Sequence, residues 1–335
     1  MNAVLFKSAT RFDAFLRTLQ SRSVQVSILD FDDPDWRSFD FKSAQIAIYF
    51  PSFIFTSNHP LSLYRVRDNI SYILDMNPAL KTFPDPQLLN FYNDKYAQYL
   101  ALTRLSMPIP KTIPLDSPKA VQTAHEQLGY PMVIKNRFGA GGDFVYRIKS
   151  RSELLALYRI SMLDFAHLRA ALYLFQIARK RSFLYSLLRI KRMTYPFLAP
   201  PLLAQAFLQA DRDLKTVVVK GRILEAHWRA ASNTKTWKFN IDGGGTGIWS
   251  AIPPEAIQLS ERLARSLSAT FLNIDLIPSS NGFLVTEFSP VWHHYRYKEK
   301  PSFIYSEEYN LPTPLTTSLK LEPIIVDTLL ALAQS

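Results

Sequence analysis

Glycine is scarce in this chain, ten residues in 335, yet seven of the ten fall in two short runs: Gly139, Gly141 and Gly142 in GAGGDF, and Gly243, Gly244, Gly245 and Gly247 in DGGGTG. Glycine reaches positive φ and lets a partner approach the backbone closely. Two such runs set among strand-like segments therefore favour folds in which backbone amides converge on one anion. Lys135, in the strand-like MVIKN just before the first run, would bring a fixed positive charge to the same anion. Taken alone, the first run is more readily explained as an ordinary hairpin turn with an edge-strand lysine.

A second constellation lies towards the C-terminus. Asp275 in NIDLI and Glu287 in VTEF fall on two strand-like runs flanking Ser280-Asn281-Gly282, a hairpin signal. Carboxylates facing each other across a hairpin repel unless they share a cation or a proton, and Mg²⁺ prefers such oxygen donors together with phosphate oxygens. The alternative is two solvent-facing acids. Lys215, Arg229, Lys238 and Asn240 lie on or beside the intervening strands, where surface charge would explain any one of them.

Along the chain, AVLF, an amphipathic run over 11–19, VQVSIL and QIAIYF alternate strand and helix periods, which predicts a small open α/β domain over 1–90. The Asp94–Leu105 helix carries Lys95 in its first turn; PIPKTIP is extended, and a further helix closes at Leu128-Gly129. Strands follow at MVIKN, VYRI, LLAQAFL, TVVVKG and ILEAHWRA, then a helix over 254–267, the hairpin and a terminal helix after Thr317. The expected domains are 1–90, 91–201 with a basic helical arm at 158–200, and 202–335.

Composition narrows the function classes. With no cysteine there is no disulfide, thiolate metal site or cysteine nucleophile, which fits a reducing, cytoplasmic compartment. The apolar run before Lys7 is too short for a secretory signal and reads as a first strand. No segment approaches the length of apolar chain needed to span a bilayer. His293 and His294 are adjacent, so in a strand they would point oppositely, and no nucleophile motif is present. The formal net charge is +11, and residues 151–200 hold nine Lys/Arg against two Asp/Glu. As a helix pair this stretch would present an apolar face with a cationic rim, suited to the anionic inner face of a membrane or to an acidic macromolecule. An extra hairpin packed on its own domain is the plainer alternative. Nothing resembles a nucleic-acid recognition motif.

In their order and spacing, NDKYAQYLAL with PIPKT, LGYPMVIKNRFGAGGDFV, LLAQAFLQADRDLKTVVVKGRI, WRAA, KFN before GGG, and NIDLI leading to FLVTEFSP resemble the ATP-grasp superfamily. The likeness is to its glutathione synthetase and RimK-like carboxylate–amine ligase branch, from about residue 93 to 290. It implies an α/β pre-ATP-grasp domain followed by a two-lobed α+β grasp module, here with a basic helical insertion. It also implies ATP, one or two Mg²⁺ ions, a carboxylate substrate and an amine co-substrate; homo-oligomerisation would be ordinary. Lys95 and Lys135 would contact phosphates under a lid of Gly139, Gly141 and Gly142. Gln205, Phe207 and Leu208 would form the hinge that reads adenine, where Ala206 stands in place of the usual acid. Asp213 would lie near the ribose, and Lys238 and Asn240 near the nucleotide; Lys215 sits where relatives often have arginine. Arg229 would face the reacting phosphoryl group, and Asp275 and Glu287 would be metal ligands. The third ligand of the pattern is an asparagine, and here Ser289 stands in its place, which keeps open the reading of an ATP-binding regulator with weakened catalysis; the basic charge would suit a further reading, an ATP-grasp kinase of a polyanionic small molecule.

Overall fold

The computed structural model describes residues 1–7, 11–50, 60–139, 145–162, 200–231, 237–239, 245–248, 250–291, 303–305, 312–314 and 320–335. The expected basic arm falls largely outside these residues, as do Gly141, Gly142, Asn240, His293 and His294.

Four parallel strands open the chain: β1 (Asn2–Phe6), β2 (Gln25–Leu29), β3 (Ile46–Ile48) and β4 (Lys81–Phe83), in the order β2-β1-β3-β4. The continuous apolar character of β1 suits a strand covered on both faces, and four of its five residues are buried. Helices α1 (Phe12–Ser21) and α2 (Pro60–Met76) supply the crossovers.

Helix α3 (Lys95–Arg104) starts at Asp94, whose carboxylate accepts the N–H groups of Tyr96 and Ala97. This is a standard way to satisfy the free amides of a first turn. An antiparallel sheet follows in the order β5 (Thr112–Leu115), β8 (Leu202–Ala206), β6 (Met132–Lys135), β7 (Val145–Ile148). Helices α4 (Pro118–Leu128) and α5 (Arg151–Ser161) share its apolar core through Val121, Ala124, Leu154 and Leu157. Gly129, at φ 65°, ends α4 in the left-handed geometry that glycine tolerates best.

The third sheet runs β13 (Gly282–Ser289), β12 (Phe271–Ser279), β9 (Arg212–Val219), β10 (Arg222–Ala231), β14 (Phe303–Tyr305), β15 (Pro312–Pro314), with β11 (Gly245–Ile248) also on β10. Alternation sends Leu214, Val218, Trp228, Ile274 and Phe288 into a core with α6 (Pro254–Ser266). The opposite face carries Asp213, Lys215, Arg229, Asp275 and Glu287 in its upper rows and Val217 and Phe271 lower down. Those last two join the core of the N-terminal sheet. The final helix, α7 (Leu321–Gln334), packs on that sheet and on α1. Buried Asp85 ties the two parts together by accepting the N–H groups of Thr270 (2.6 Å) and Phe271 (3.2 Å).

Candidate active site

Strand register brings the acids and bases together. Asp275 pairs with Glu287 on one side and with Lys215 on the other, while Asp213 pairs with Arg229 on the neighbouring strand. Directly opposed residues on one face have Cβ atoms about 5 Å apart, so charged groups distant in sequence form one continuous row. The Arg229 guanidinium grips Asp213 with two bonds, Nε–Oδ1 at 2.7 Å and Nη2–Oδ2 at 2.6 Å, and Nη2 also donates to Asp275 Oδ2 at 2.9 Å. Lys215 Nζ donates to Asp275 Oδ1 at 3.0 Å.

The two carboxylates are therefore not the unpaired couple that the sequence suggests, since each has cationic neighbours. Asp275 is held by Lys215 and Arg229, and Glu287 Oε1 lies 3.9 Å from Lys95 Nζ. Burial works to raise the Asp275 pKa, but Arg229 and Lys215 outweigh it and hold the carboxyl below the ordinary range. Burial would likewise lower the Arg229 pKa, and Asp275 and Asp213 more than offset it. Asp275 is thus ionised throughout the neutral range. Glu287, at 31% exposure, is the more open of the pair.

The second wall comes from the other lobe. Lys95, only 7% exposed, donates to the Gly139 carbonyl. Gly139 has φ 136°, a region that disfavours side chains, and its carbonyl faces the lysine that opens α3. Lys135 is partly buried at the end of β6. Its pKa is pulled down to about 8, chiefly because burial disfavours the ammonium; Glu287 favours the charged form and Lys95 opposes it. Lys95, Lys135 and Gln205 from this lobe line a narrow cleft with Val285 and Thr286 of β13.

The residues expected to border the base are more scattered. Gln205 donates to Thr112 Oγ1 at 2.9 Å. Phe207 packs between the Arg147 guanidinium, 4.3 Å from its ring centre, and Trp237, with Lys238 Nζ 5.6 Å from the Trp237 ring. Leu208 follows on the same segment, partly buried. Ser289 is the last residue of β13, and its Oγ accepts the Val291 N–H at 3.3 Å. The second glycine run continues as a strand rather than a turn from Gly245, and Gly247 lies opposite Arg229.

Two supporting contacts escaped the sequence reading. Arg137 binds Asp94 through Nε and Nη2, at 2.7–3.1 Å, and its carbonyl accepts the Lys95 N–H at 2.8 Å. These bonds fix the first turn of α3 against the glycine run. Buried Gln98 donates to Phe91 O and accepts the Phe288 N–H, fastening α3 to β13 beside Glu287. The Asn-Asp before Lys95 is a legible helix start; the reach of Arg137 and Gln98 to other segments is not.

The donor set suits a divalent cation: two hard carboxylates in register, one partly open, facing lysines that can hold phosphate. Among the described residues no group of three or more His, Cys, Asp or Glu side chains is placed to hold a metal ion, so the two carboxylates would need other oxygen donors to complete a site.

No family model matches the chain. Among curated proteins it is 26% identical over 189 residues to the tetrahydromethanopterin:alpha-L-glutamate ligase of Methanosarcina acetivorans, covering 56% of this chain and 50% of that protein. It is 23% identical over 242 residues to the glutamate–LysW ligase ArgX of Sulfurisphaera tokodaii, covering 69% and 71%. The match thus spans about half the length of the first of these relatives. Among solved structures, the ATP-grasp ligase PsnB, complexed with a phosphomimetic variant of its minimal precursor, Mg and ADP, superposes with a TM-score of 0.61 at 14% identity over 98% of both chains. The chain has the ATP-grasp fold, and by sequence it is similar to glutamate ligases.

Proposed function

We propose that the chain is an ATP-dependent carboxylate–amine ligase that forms an amide bond through an acyl phosphate. The observation that carries this reading is the charged row Glu287–Asp275–Lys215 with Arg229, whose Glu287 lies 3.9 Å from Lys95 and whose acids act on the charge of Lys135 from the other lobe. Asp275 and Glu287 would hold Mg²⁺, which when bound neutralises phosphate charge and orients the triphosphate. Lys95 and Lys135 would bind the phosphates, and Gly139 would help shape the turn above them. Gln205, Phe207 and Leu208 would border the base, with Lys238 nearby, and Asp213 would fix Arg229 in place.

In this reading an oxygen of the substrate carboxylate attacks the γ-phosphorus as its bond to the bridging oxygen breaks, and ADP leaves. The amine nitrogen then attacks the acyl carbon, the carbon–oxygen bond to phosphate breaks, and the nitrogen gives up its proton. Arg229 and Lys215 would balance the negative charge that develops on the transferred phosphoryl oxygens. Because Arg229 is already gripped by two carboxylates, little reorganisation is needed when that charge appears.

The names of both curated relatives include glutamate, which makes L-glutamate the first amine to test. The chain would be incubated with ATP, Mg²⁺ and a panel of small polycarboxylic acids and acidic peptides, with L-glutamate or hydroxylamine as the amine. The expected result is ADP formation that needs both an acid and an amine, with hydroxamate appearing in step with ADP when hydroxylamine replaces the amine. Transfer of phosphate to a hydroxyl without hydroxamate would overturn the reading in favour of a kinase.

A further inference from the structure

We propose that the side-chain amide oxygen of Asn273 is a ligand of the divalent cation, supplying from β12 a neutral oxygen donor beside Asp275 and Glu287. The inference rests on the metal site proposed above and deepens it. Asn273 lies two residues before Asp275 on β12, so strand alternation puts both side chains on the same face of the sheet. Its partner on β13 is Ser289, two residues beyond Glu287. Asn273, Asp275, Glu287 and Ser289 therefore form a two-by-two patch, with two carboxylates in one row and an amide and a hydroxyl in the next.

Within that patch the amide is the stronger donor of the second row. The Ser289 hydroxyl already accepts a backbone bond from Val291. Asn273 is 6% exposed, and its Oδ1 meets no hydrogen-bond donor among the described residues. Its neighbour on the other flank, Val217, has only an apolar side chain to offer. The nearby amide of Gln98 is committed to the carbonyl of Phe91 and the N–H of Phe288. A buried amide oxygen with no partner carries an uncompensated desolvation cost. Coordination relieves it, because Mg²⁺ and Mn²⁺ both accept amide carbonyl oxygens. While the Ser289 hydroxyl is shared with Val291, an uncommitted oxygen is thus available one strand away in the same row.

The test is Mn²⁺ binding in the presence of a non-hydrolysable ATP analogue, read by electron paramagnetic resonance, alongside thermal unfolding in EDTA. The wild-type chain is expected to hold Mn²⁺ more tightly than the analogue alone does. Asn273→Leu, which keeps the volume and removes the orphaned oxygen, is expected to weaken Mn²⁺ binding at least tenfold while leaving the unfolding temperature in EDTA unchanged or higher. Ser289→Asn added to Asn273→Leu is expected to recover binding, since it returns an amide oxygen to the same row. Mn²⁺ affinity within twofold of wild type in Asn273→Leu would overturn the proposal, and so would a lowered unfolding temperature in EDTA, which marks a structural role. If Asn273→Leu does not fold, Asn273→Asp decides: retained or tighter Mn²⁺ binding supports the ligand role, and loss of binding refutes it. Failure of the wild-type chain itself to bind Mn²⁺ would remove the metal site as a whole, whereas equal binding by wild type and Asn273→Leu removes only the role of Asn273.

Discussion

The two faces of strands β13, β12, β9 and β10 are made from alternate residues of the same segments, yet they obey different physics. On one, Leu214, Val218, Trp228, Ile274 and Phe288 pack against α6 and are at most 5% exposed. On the other, Asp213, Lys215, Arg229, Asp275 and Glu287 form a salt-bridged row at the cleft. Removing charges from water is costly even when they are paired, so the second face is a place where the fold tolerates an expense that the first does not carry. A substitution on the apolar face should therefore change stability and leave ligand affinity per folded molecule intact. On the charged face the order should reverse, except where a residue is both ligand-facing and a main counterion of buried neighbours.

Glu287→Ala gives the largest expected effect. On the proposed reading it removes a metal ligand from a partly open position and leaves no core cavity, so Mg²⁺-dependent ADP formation should fall by about a thousandfold, the several kcal/mol a bound metal contributes. The chain should meanwhile unfold at an unchanged denaturant midpoint. Unchanged turnover would break the assignment of the charged face.

Arg229→Met tests the exception. Asp213 and Asp275 would be left buried without their shared fork, and losing one partner of such a group costs about 3–5 kcal/mol. Both the denaturant midpoint and ADP formation should fall; a stable variant with lost activity would mean that the ion triad contributes nothing to the fold. Ile274→Ala is the matching change one residue along, on the apolar face, and should cost about 2–5 kcal/mol through the cavity it leaves. Calorimetric titration should show nucleotide affinity unaltered at temperatures where the variant is folded.

A pH titration separates Lys135 from its neighbours. In the free protein it loses its proton near pH 8, and bound phosphate favours the charged form, so its pKa is higher in the complex. Nucleotide affinity is then full below pH 8 and falls by up to about tenfold per pH unit as pH rises from 8 towards the pKa of the complex. Lys135→Met should bind more weakly and show no such slope; the same slope in that variant would assign the titration to another group. The smallest effect belongs to Thr216→Val, between Lys215 and Val217 on β9. It deletes a buried hydroxyl bond to Ser260 and should cost about 1 kcal/mol of stability with no change in turnover.

Much of the charged face was legible because each acid and base sits in a strand with clear period-two alternation, and because a two-stranded hairpin fixes the pairing of Asp275 with Glu287. The bond from Lys215 to Asp275 was not, since it depends on β9 lying next to β12, sixty residues away. Nor was the strand at Gly245, because a glycine run carries no side-chain period and reads as a turn. The fork of Arg137 on the cap of α3 was not legible either, because it joins residues 43 apart in the chain.

By itself the sequence determined where strands and helices begin, since caps, prolines and alternation act over a few neighbouring residues: Asp94 opens α3, Gly129 closes α4, and Ser280-Asn281-Gly282 turns β12 into β13. Tertiary structure alone decided which charges neutralise which and which oxygen is left without a partner. Those properties depend on strand order and register, and Coulomb and hydrogen-bond energies follow distance in space rather than separation along the chain.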